Sequence, residues 1–424
     1  MRGRTTGALS LAVVAILVAG TACGTTTGTG ATGSGPVSIG LLYPTSGPQG
    51  TQGTEEERGA RLAAEWANEH GGVHGRPVRL VEVSADRAEA VPGAMDALVA
   101  QGVRIVVGSH SSAVSAAGAQ EATTRGLLLW ETGAVGQVDP DVAGGTNFIR
   151  LAPMGANLGR AAIDFVHDQV TPRLGINHPL RYAVAYVDDP YGRAVGQGAI
   201  DEVAGRGQTL AGAFSYDLAT VDYPALAARI AAARPDVLFV SAYLEDGVAL
   251  RRAVVAAHVP LAVNIGTSSS YCLRAFGARL GADAVGLFAS DKPDAAAVNP
   301  SALTAEGRRA LAWVQARYRH DYHEDAGAPA LSGFSNTYAL FVHVLPAAGP
   351  LQPSNEAASV AAAALAVKLP VGTLANGGGL DVAPPGSPDA GANRAAAGVI
   401  WEWVAPGQRV VVWPPPFATH PIVT

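Results

Sequence analysis

The chain has 424 residues, a formal net charge of −6 and 48% hydrophobic residues, so it is long and apolar enough for more than one folded core. Its lysines are Lys292 and Lys368 alone, and no basic cluster is present, which argues against a nucleic-acid partner. Its cysteines are Cys23 and Cys272 alone, so a disulfide within the folded part is not expected. No stretch after residue 36 approaches the roughly 20 apolar residues of a transmembrane helix.

The first residues predict export from the cytoplasm. Two positive charges, Arg2 and Arg4, come first. An apolar stretch, Ala8–Ala19, follows them, and the small residues Gly20–Ala22 come last. This order is typical of a secretory signal peptide, which we assign to residues 1–22. Residues 24–35 contain no apolar side chain larger than Ala and cannot form a core, so we expect 23–35 to be an anchor residue followed by a flexible tether.

Cys23 directly follows the predicted cleavage site. This arrangement resembles the bacterial lipobox, although Gly20 stands where that motif usually has Leu. The resemblance implies a lipidated Cys23 that holds the protein to the outer face of the cell membrane. The alternative is an ordinary signal peptide followed by an unrelated cysteine.

Strand and helix patterns then alternate in two successive arrays. The first array is predicted to contain a strand that begins at 37 and ends before Tyr43, and strands at 78–83, 104–108 and 127–130. A helix is predicted between the first two strands, a second helix opens at a capping box formed by Asp86 and Glu89, and a third spans 112–125. The second array has strands near 182–187, 209–214, 236–241 and 261–265 and helices near 156–170, 191–206, 223–233 and 246–257. Two such arrays favour two α/β lobes with mostly parallel sheets.

Residues 37–86 resemble the start of the branched-chain amino-acid-binding family of type I periplasmic binding proteins. The matching residues are Ile39–Pro44, Ser46–Pro48, Gly59-Ala60, Leu62-Ala63, Asn68 and Gly71–Val78. The resemblance, which extends over 36–424, implies two doubly wound parallel-sheet lobes joined by a three-stranded hinge. It places 36–152 with 287–391 in lobe 1 and 153–286 with 392–424 in lobe 2.

Such proteins capture a small solute between the lobes and deliver it, unchanged, to the permease and ATPase subunits of an ABC transporter. The resemblance therefore implies no catalytic residue, no metal and no cofactor. It also implies long helices near 304–319 and 332–348 and a closing hairpin at 399–404 and 409–413.

Ligands of parallel sheets bind beyond the carboxyl ends of the strands. Ser111 and Ser112 follow one predicted strand and precede a helix, where hydroxyl and free N–H groups can receive a carboxylate. The resemblance assigns this role to them, and the role of holding the ligand head to Gly133 and Ala134. The alternative is that the two serines only cap the helix.

Two aromatic residues stand at strand ends of the second array. Tyr191, in Asp189–Gly192, and Tyr243 match aromatic positions of the family, which implies that their rings cover the ligand. The alternative is that each ring covers only the core of its own lobe.

One departure from the family concerns charge. Family members that bind amino acids have a Glu in the loop where this chain has Ser268, and a buried ammonium without a counter-charge is costly. Glu131 is the predicted substitute, with Glu245 and Asp246 as weaker alternatives. Gln52, at a position that is often aromatic, favours a polar pocket. We therefore expect a small polar solute, with an amino acid or amide favoured.

Two other function classes compete with transport. The cleft contains Ser, His and Glu, but G-x-S-x-G, H-E-x-x-H, Walker A and C-x-x-C motifs are missing from the sequence, which disfavours a hydrolase. A ligand-sensing receptor module of the same fold remains the nearer alternative.

Overall fold

The computed structural model describes residues 35–143, 145–352 and 356–423. The predicted signal peptide, Cys23 and nearly all of the tether lie outside the described residues. The described part belongs to one compact unit that contains two sheets.

The smaller sheet has five strands in the order β2-β1-β3-β4-β5, and every neighbouring pair is parallel. Its strands are β1 Val37–Tyr43, β2 Val78–Ser84, β3 Ile105–Gly108, β4 Leu128–Glu131 and β5 Phe148–Arg150. The helices between them are α1 Gly50–Glu69, α2 Val91–Ala100, α3 Ser112–Arg125 and the short α4 Pro140–Ala143. Strands β3 and β4 are buried along their full length, as expected for a sheet covered on both faces.

The larger sheet has seven strands in the order β12-β11-β10-β9-β8-β6-β7. Its parallel part consists of β6 Arg181–Val187, β7 Thr209–Tyr216, β8 Val237–Ser241, β9 Val263–Thr267 and β10 Phe288–Asp291. An antiparallel hairpin, β11 Val399–Ala405 and β12 Gln408–Trp413, completes one edge. Helices α5 Gly155–Phe165, α6 Thr171–Arg173, α7 Pro190–Gly205, α8 Tyr223–Ala233, α9 Leu244–Ala256 and α10 Arg274–Leu280 accompany this sheet.

Four further helices follow β10 and return to the smaller sheet. They are α11 Ala305–Tyr322, α12 Ala328–Tyr338, α13 Leu345–Ala347 and α14 Glu356–Ala366, and their apolar residues share a core with β1, β3 and β4. A separate core lies around the seven-stranded sheet. The chain therefore passes between the two sheets three times: after β5, after β10 and before β11. The predicted two-lobed α/β fold is confirmed.

Strand β10 requires a correction to the predicted lobe boundary at 286/287. Phe288–Ser290 pair with Ile265–Thr267 of β9, so β10 lies in the sheet of lobe 2. We therefore move this boundary to follow residue 291, while the remaining lobe boundaries stay predictions.

The predicted capping box is wrong. Helix α2 begins at Val91 after a short 3₁₀ turn, and no side chain caps it. The Asp86 carboxylate instead accepts hydrogen bonds from Ser46 and Arg87, which fixes the loop after β1. None of the described helices has the length and apolarity needed to cross a membrane.

Candidate ligand-binding site

The carboxyl ends of strands from both sheets meet at a central cavity of about 20 Å³. On the side of the smaller sheet it is lined by Gln52, His110, Ser112 and Gly133. On the side of the larger sheet it is lined by Tyr191, Ser268, Asp291 and Lys292. A volume of this size holds about one water molecule. The cavity is therefore too small to hold a solute much larger than water unless its walls move apart.

The structure brings together five of the residues predicted to bind the ligand, namely Gln52, Ser112, Gly133, Tyr191 and Ser268. The other four, Ser111, Glu131, Ala134 and Tyr243, are buried but do not line the cavity. A ligand role for the five stays a prediction, whereas the positions of the four call for a different interpretation.

Ser112 is the first residue of α3, at the cavity wall. Its hydroxyl oxygen accepts a hydrogen bond of 2.9 Å from the N–H of Gly136, which leaves its own O–H free to donate. Ser111 is the N-cap residue of α3, but its side chain makes no capping hydrogen bond. The alternative in which both serines only cap the helix is therefore not what the geometry shows.

Glu131 cannot supply the predicted ammonium counter-charge. Its side chain is 0% exposed, and its carboxylate accepts hydrogen bonds from the N–H groups of Ser109, Gly133 and Ala134 and from the Ser109 hydroxyl. Burial, and next the nearby Glu56 carboxylate, raise its pKa. Glu131 instead fixes the shape of the loop after β4, and the N–H of Ala134 serves the same internal purpose.

The weaker candidates for that counter-charge are also engaged elsewhere. Glu245 is exposed and pairs with Arg279 at 2.6 Å. The Asp246 carboxylate accepts a hydrogen bond of 2.6 Å from the Tyr216 hydroxyl.

Tyr191 and Tyr243 form an aromatic pair whose ring centroids lie 5.2 Å apart. The Tyr191 hydroxyl donates to the backbone carbonyl of Ser268, which fixes its ring at the cavity wall. The Tyr243 hydroxyl donates to Asp189 at 2.5 Å, so Tyr243 supports Tyr191 from behind instead of covering the cavity.

Asp291 and Lys292 are the functional candidates that sequence reasoning missed. Asp291 is 2% exposed; the Cys272 thiol donates to its Oδ2 at 2.7 Å, and its Oδ1 has no partner. Lys292 is 5% exposed, and its ammonium donates to the Gly133 carbonyl at 3.1 Å, across the gap between the lobes. Neither side chain forms an ion pair with another described residue. Asp291 ends strand β10 and Lys292 follows it, so the rule that ligands bind beyond strand ends would have found both residues with the correct lobe boundary.

His110 supplies a third polar side chain to the cavity wall. Its Nδ1 lies 2.6 Å from Glu56 Oε2 and donates to it, since a carboxylate can only accept. The buried Nε2 is left without a partner. Within the described residues no hydrogen bond joins His110 to Ser111 or Ser112, so the Ser–His contact that a hydrolase needs is not formed.

A wider cavity of about 440 Å³ continues from the central one toward the surface and is called the mouth here. The two share Gln52, Leu273 and Pro329. The mouth is rich in charged side chains, among them Glu55, Arg274 and Glu324. Burial, and next the charge of Glu324, raise the pKa of Glu55. A bound solute that extends from the central cavity therefore meets polar groups.

A family model described as periplasmic binding protein matches residues 36–382. Leu/Ile/Val-binding protein homolog 7 of Brucella melitensis is 30% identical over 255 residues, which make up 59% of this chain. The chain spans 63% of the length of that relative.

Solved structures show the same fold at low sequence identity. A leucine-binding protein from Thermotoga maritima aligns with a TM-score of 0.70 and 17% identity, over 88% of this chain and 97% of that one. A solute-binding protein from Rhodopseudomonas palustris in complex with benzoate aligns with a TM-score of 0.71 and 16% identity, over 92% and 98% of the two chains.

Two α/β lobes with a small polar cavity between them are the architecture of the periplasmic binding proteins. This chain belongs to the periplasmic binding protein family, in the branched-chain amino-acid-binding group that the sequence resembles. The family consists of solute-binding proteins and not of enzymes, so the expectation of a non-catalytic protein is confirmed.

Proposed function

We propose that this protein captures a small, polar α-amino acid between its lobes and delivers it to the permease and ATPase subunits of an ABC transporter. The observation that carries the proposal is a pair of buried, opposite and unmatched charges. Among the described residues, Oδ1 of Asp291 has no hydrogen-bond partner, and the Lys292 ammonium donates to one neutral carbonyl, that of Gly133. Each buried charge costs several kcal/mol unless it is paired.

A zwitterion supplies the missing partner of both charges. Its ammonium fits the free Oδ1 of Asp291, and its carboxylate fits the Lys292 ammonium together with the Ser112 hydroxyl. Family members that bind amino acids carry a Glu at the position of Ser268, in the loop after β9. Strand β10 lies beside β9 in the sheet, so Asp291 at the end of β10 takes the place of that Glu in the proposed arrangement. The names of the relatives, which refer to leucine and to branched-chain amino acids, support the same ligand class.

The mouth favours a polar side chain over an aliphatic one. Beyond the central cavity the solute meets Glu55, Glu324 and Arg274, with Gln52 at the entrance. The amide of Gln52 makes no side-chain hydrogen bond to the described residues, so it is free to contact the solute. An amide such as that of glutamine or asparagine can use both donors and acceptors at these positions.

Isothermal titration with L-glutamine, L-asparagine and L-leucine tests this proposal. We expect a polar amino acid to bind, and Asp291→Asn to weaken its binding by about 30-fold or more, because one partner of a buried charge pair is lost. Asp283→Asn, an exposed change in the same lobe, is the control and leaves affinity unchanged. Leucine as the tightest ligand, or an unaffected Asp291→Asn variant, contradicts the proposal.

Attachment to the membrane through lipidated Cys23 is a separate proposal, supported by the sequence around that residue. The test is cell fractionation with metabolic labelling by a radioactive fatty acid. Wild type is expected in the membrane fraction with label, and Cys23→Ser without label in the soluble fraction. An unlabelled wild type would rule the anchor out.

A further inference from the structure

A second cavity of about 230 Å³ lies beside the central one, and we refer to it as the hinge cavity. Its walls come from the loop after β4, the start of α5, helix α7 and the chain segment that leads back to β11. Val135 lines both this cavity and the central one, so the two cavities adjoin at this residue. The volume is more than tenfold the roughly 15 Å³ that one water requires, which leaves room for a small organic molecule.

The floor of the hinge cavity carries a buried positive charge. Arg150 ends β5 and is 3% exposed. Its guanidinium donates to the Gly136 carbonyl and lies 5.3 Å from the centre of the Phe148 ring. Its Nε is buried without a partner. Burial lowers the pKa of Arg150 to about 10, a loss that the charge of Glu131 only partly offsets.

No described acid neutralises this guanidinium directly. Glu131 influences it only at longer range, and its carboxylate is already occupied by backbone N–H groups. Asp389 lines the cavity but is held by two hydrogen bonds of 2.7 Å from Arg394. Asp201 stands exposed at the rim, where its carboxylate accepts from Gln197 at 2.6 Å. The remaining wall is largely apolar, with Val138 and Met154 among its residues.

We propose that the hinge cavity is a second binding site, which takes a small organic carboxylate with a compact apolar body anchored by Arg150. A guanidinium binds a carboxylate through parallel N–H donors, and the unpartnered Nε leaves the hydrogen-bonding capacity of Arg150 incompletely used. Apolar walls around a single charged anchor are the usual composition of a small-molecule site. This inference is independent of which solute occupies the central cavity.

The loop 133–136 connects the two sites physically. The carbonyl of Gly136 accepts from Arg150 in the hinge cavity, and its N–H donates to Ser112 in the central cavity. The neighbouring Val135 carbonyl accepts from the N–H of Gly155 at 2.7 Å, which ties the loop to lobe 2. A carboxylate on Arg150 therefore acts on the hydrogen bonds that set the position of Ser112, and it changes the affinity for the solute.

Titration calorimetry with sodium isobutyrate tests the inference, with isobutylamine as a control of similar shape and opposite charge. We expect one isobutyrate per chain and no binding of the amine. Ala194→Leu fills the cavity from α7 and is expected to weaken isobutyrate binding at least tenfold. Ala204→Leu makes the same change on the exposed side of that helix, outside the cavity, and is expected to behave as wild type.

Two further variants separate this site from the central one. Asp201→Asn removes the negative rim charge and is expected to tighten isobutyrate binding by about two- to fivefold. Asp291→Asn is expected to leave it unchanged, so a failure of the amino-acid proposal does not affect this test. The inference is overturned if isobutyrate does not bind to wild type, or if it binds equally well to Ala194→Leu.

Discussion

At the scale of single residues, the proposed function depends on two charges that lack a charged partner among the described residues. Asp291 and Lys292 are adjacent in the chain and both almost fully buried, and the Lys292 ammonium donates to the Gly133 carbonyl and not to Asp291. Replacing such charges with apolar residues of similar volume is often neutral or stabilising. Their presence at a cavity between two lobes is explained if a zwitterionic solute completes them.

Lys292→Met tests the carboxylate half of this arrangement. The variant should lose affinity for the amino acid by about tenfold or more, because an ammonium–carboxylate contact in a buried site is lost. Its affinity for the decarboxylated analogue of that amino acid, which keeps the ammonium group, should be unchanged. Titration calorimetry measures both affinities.

Lys368→Met is the matched control, since Lys368 is the only other lysine and is exposed beside Asp381. Equal affinities of Lys292→Met and Lys368→Met for the amino acid would contradict the role of Lys292.

Sequence reasoning located the cavity better than it located its charges. It selected Gln52, Ser112, Gly133, Tyr191 and Ser268 because ligand sites lie beyond strand ends, and the structure brings these residues together. It chose Glu131 for the same reason, but hydrogen bonding to three backbone N–H groups cannot be read from sequence. It overlooked Asp291 because the short strand β10 was placed in the wrong lobe.

At the scale of elements, close helix contact determines the position of the site. Helices α1 and α12 cross so closely that a Cβ on Gly59 would come within 2.0 Å of the Ala330 carbonyl oxygen. Gly333 of α12 has an equally close contact with Glu56 of α1. These glycines let α1 present Gln52 to the cavity and Glu56 to His110.

Gly59→Ala should therefore destabilise the protein by about 1–3 kcal/mol or more, because the added methyl group must displace backbone. Chemical denaturation measures the effect, provided that the free energy of unfolding depends on denaturant concentration with the same slope in the variant and in wild type. Gly93→Ala is the control: Gly93 lies at an exposed position of α2, and an added Cβ meets no atom within 4 Å, so this change should be neutral or stabilising by up to about 1 kcal/mol. Equal stabilities of the two variants would contradict the close crossing.

Helix α9 supplies a prediction on pH. Asp246 lies in its first turn, where the helix favours a negative charge, but burial raises the pKa of this carboxyl from 3.8 to about 6. The folded protein then binds more protons than the unfolded chain between these pH values. Stability should fall as pH rises through that window, by up to about 3 kcal/mol from this group.

Asp246→Asn should remove the loss of stability that accompanies the rise in pH, because the amide cannot lose a proton. The variant should unfold at a higher temperature than wild type at pH 8, and the difference should shrink as pH falls toward 4. Glu245→Gln, the exposed neighbour, serves as control and should show no such trend. A constant difference between pH 4 and pH 8 would contradict the raised pKa.

Elements with clear signals at their ends were predictable, and elements without them were not. The predicted bounds of α3 and α8 coincide with the structure, because Ser111 and Gly126 flank α3, and the Asp222 side chain caps the start of α8. Strand β5 is only three residues long, and α14 is nearly all small and apolar, so neither shows a distinctive period. The capping box of Asp86 failed because tertiary contacts with Ser46 took over its carboxylate.

At the scale of the whole molecule, the closed cavity implies opening. A space of about 20 Å³ cannot admit an amino acid, and Lys292 bridges the lobes through the Gly133 carbonyl. The three passages of the chain between the sheets allow the lobes to rotate as rigid bodies. The free protein should therefore populate a more open form than the liganded one.

Small-angle X-ray scattering measures this difference. We expect the radius of gyration to decrease when the amino acid identified by calorimetry is added in excess. An amino acid that does not bind in calorimetry should leave the profile unchanged. Identical profiles with and without the bound solute would contradict closure of the lobes around it.

A crystal structure of the protein with its calorimetrically identified solute tests the central claim most directly. We expect one solute between the lobes, with its ammonium nitrogen about 2.9 Å from a carboxylate oxygen of Asp291 and its carboxylate within reach of Lys292 and Ser112. A solute bound elsewhere, or one that leaves Asp291 without a partner, would contradict the account.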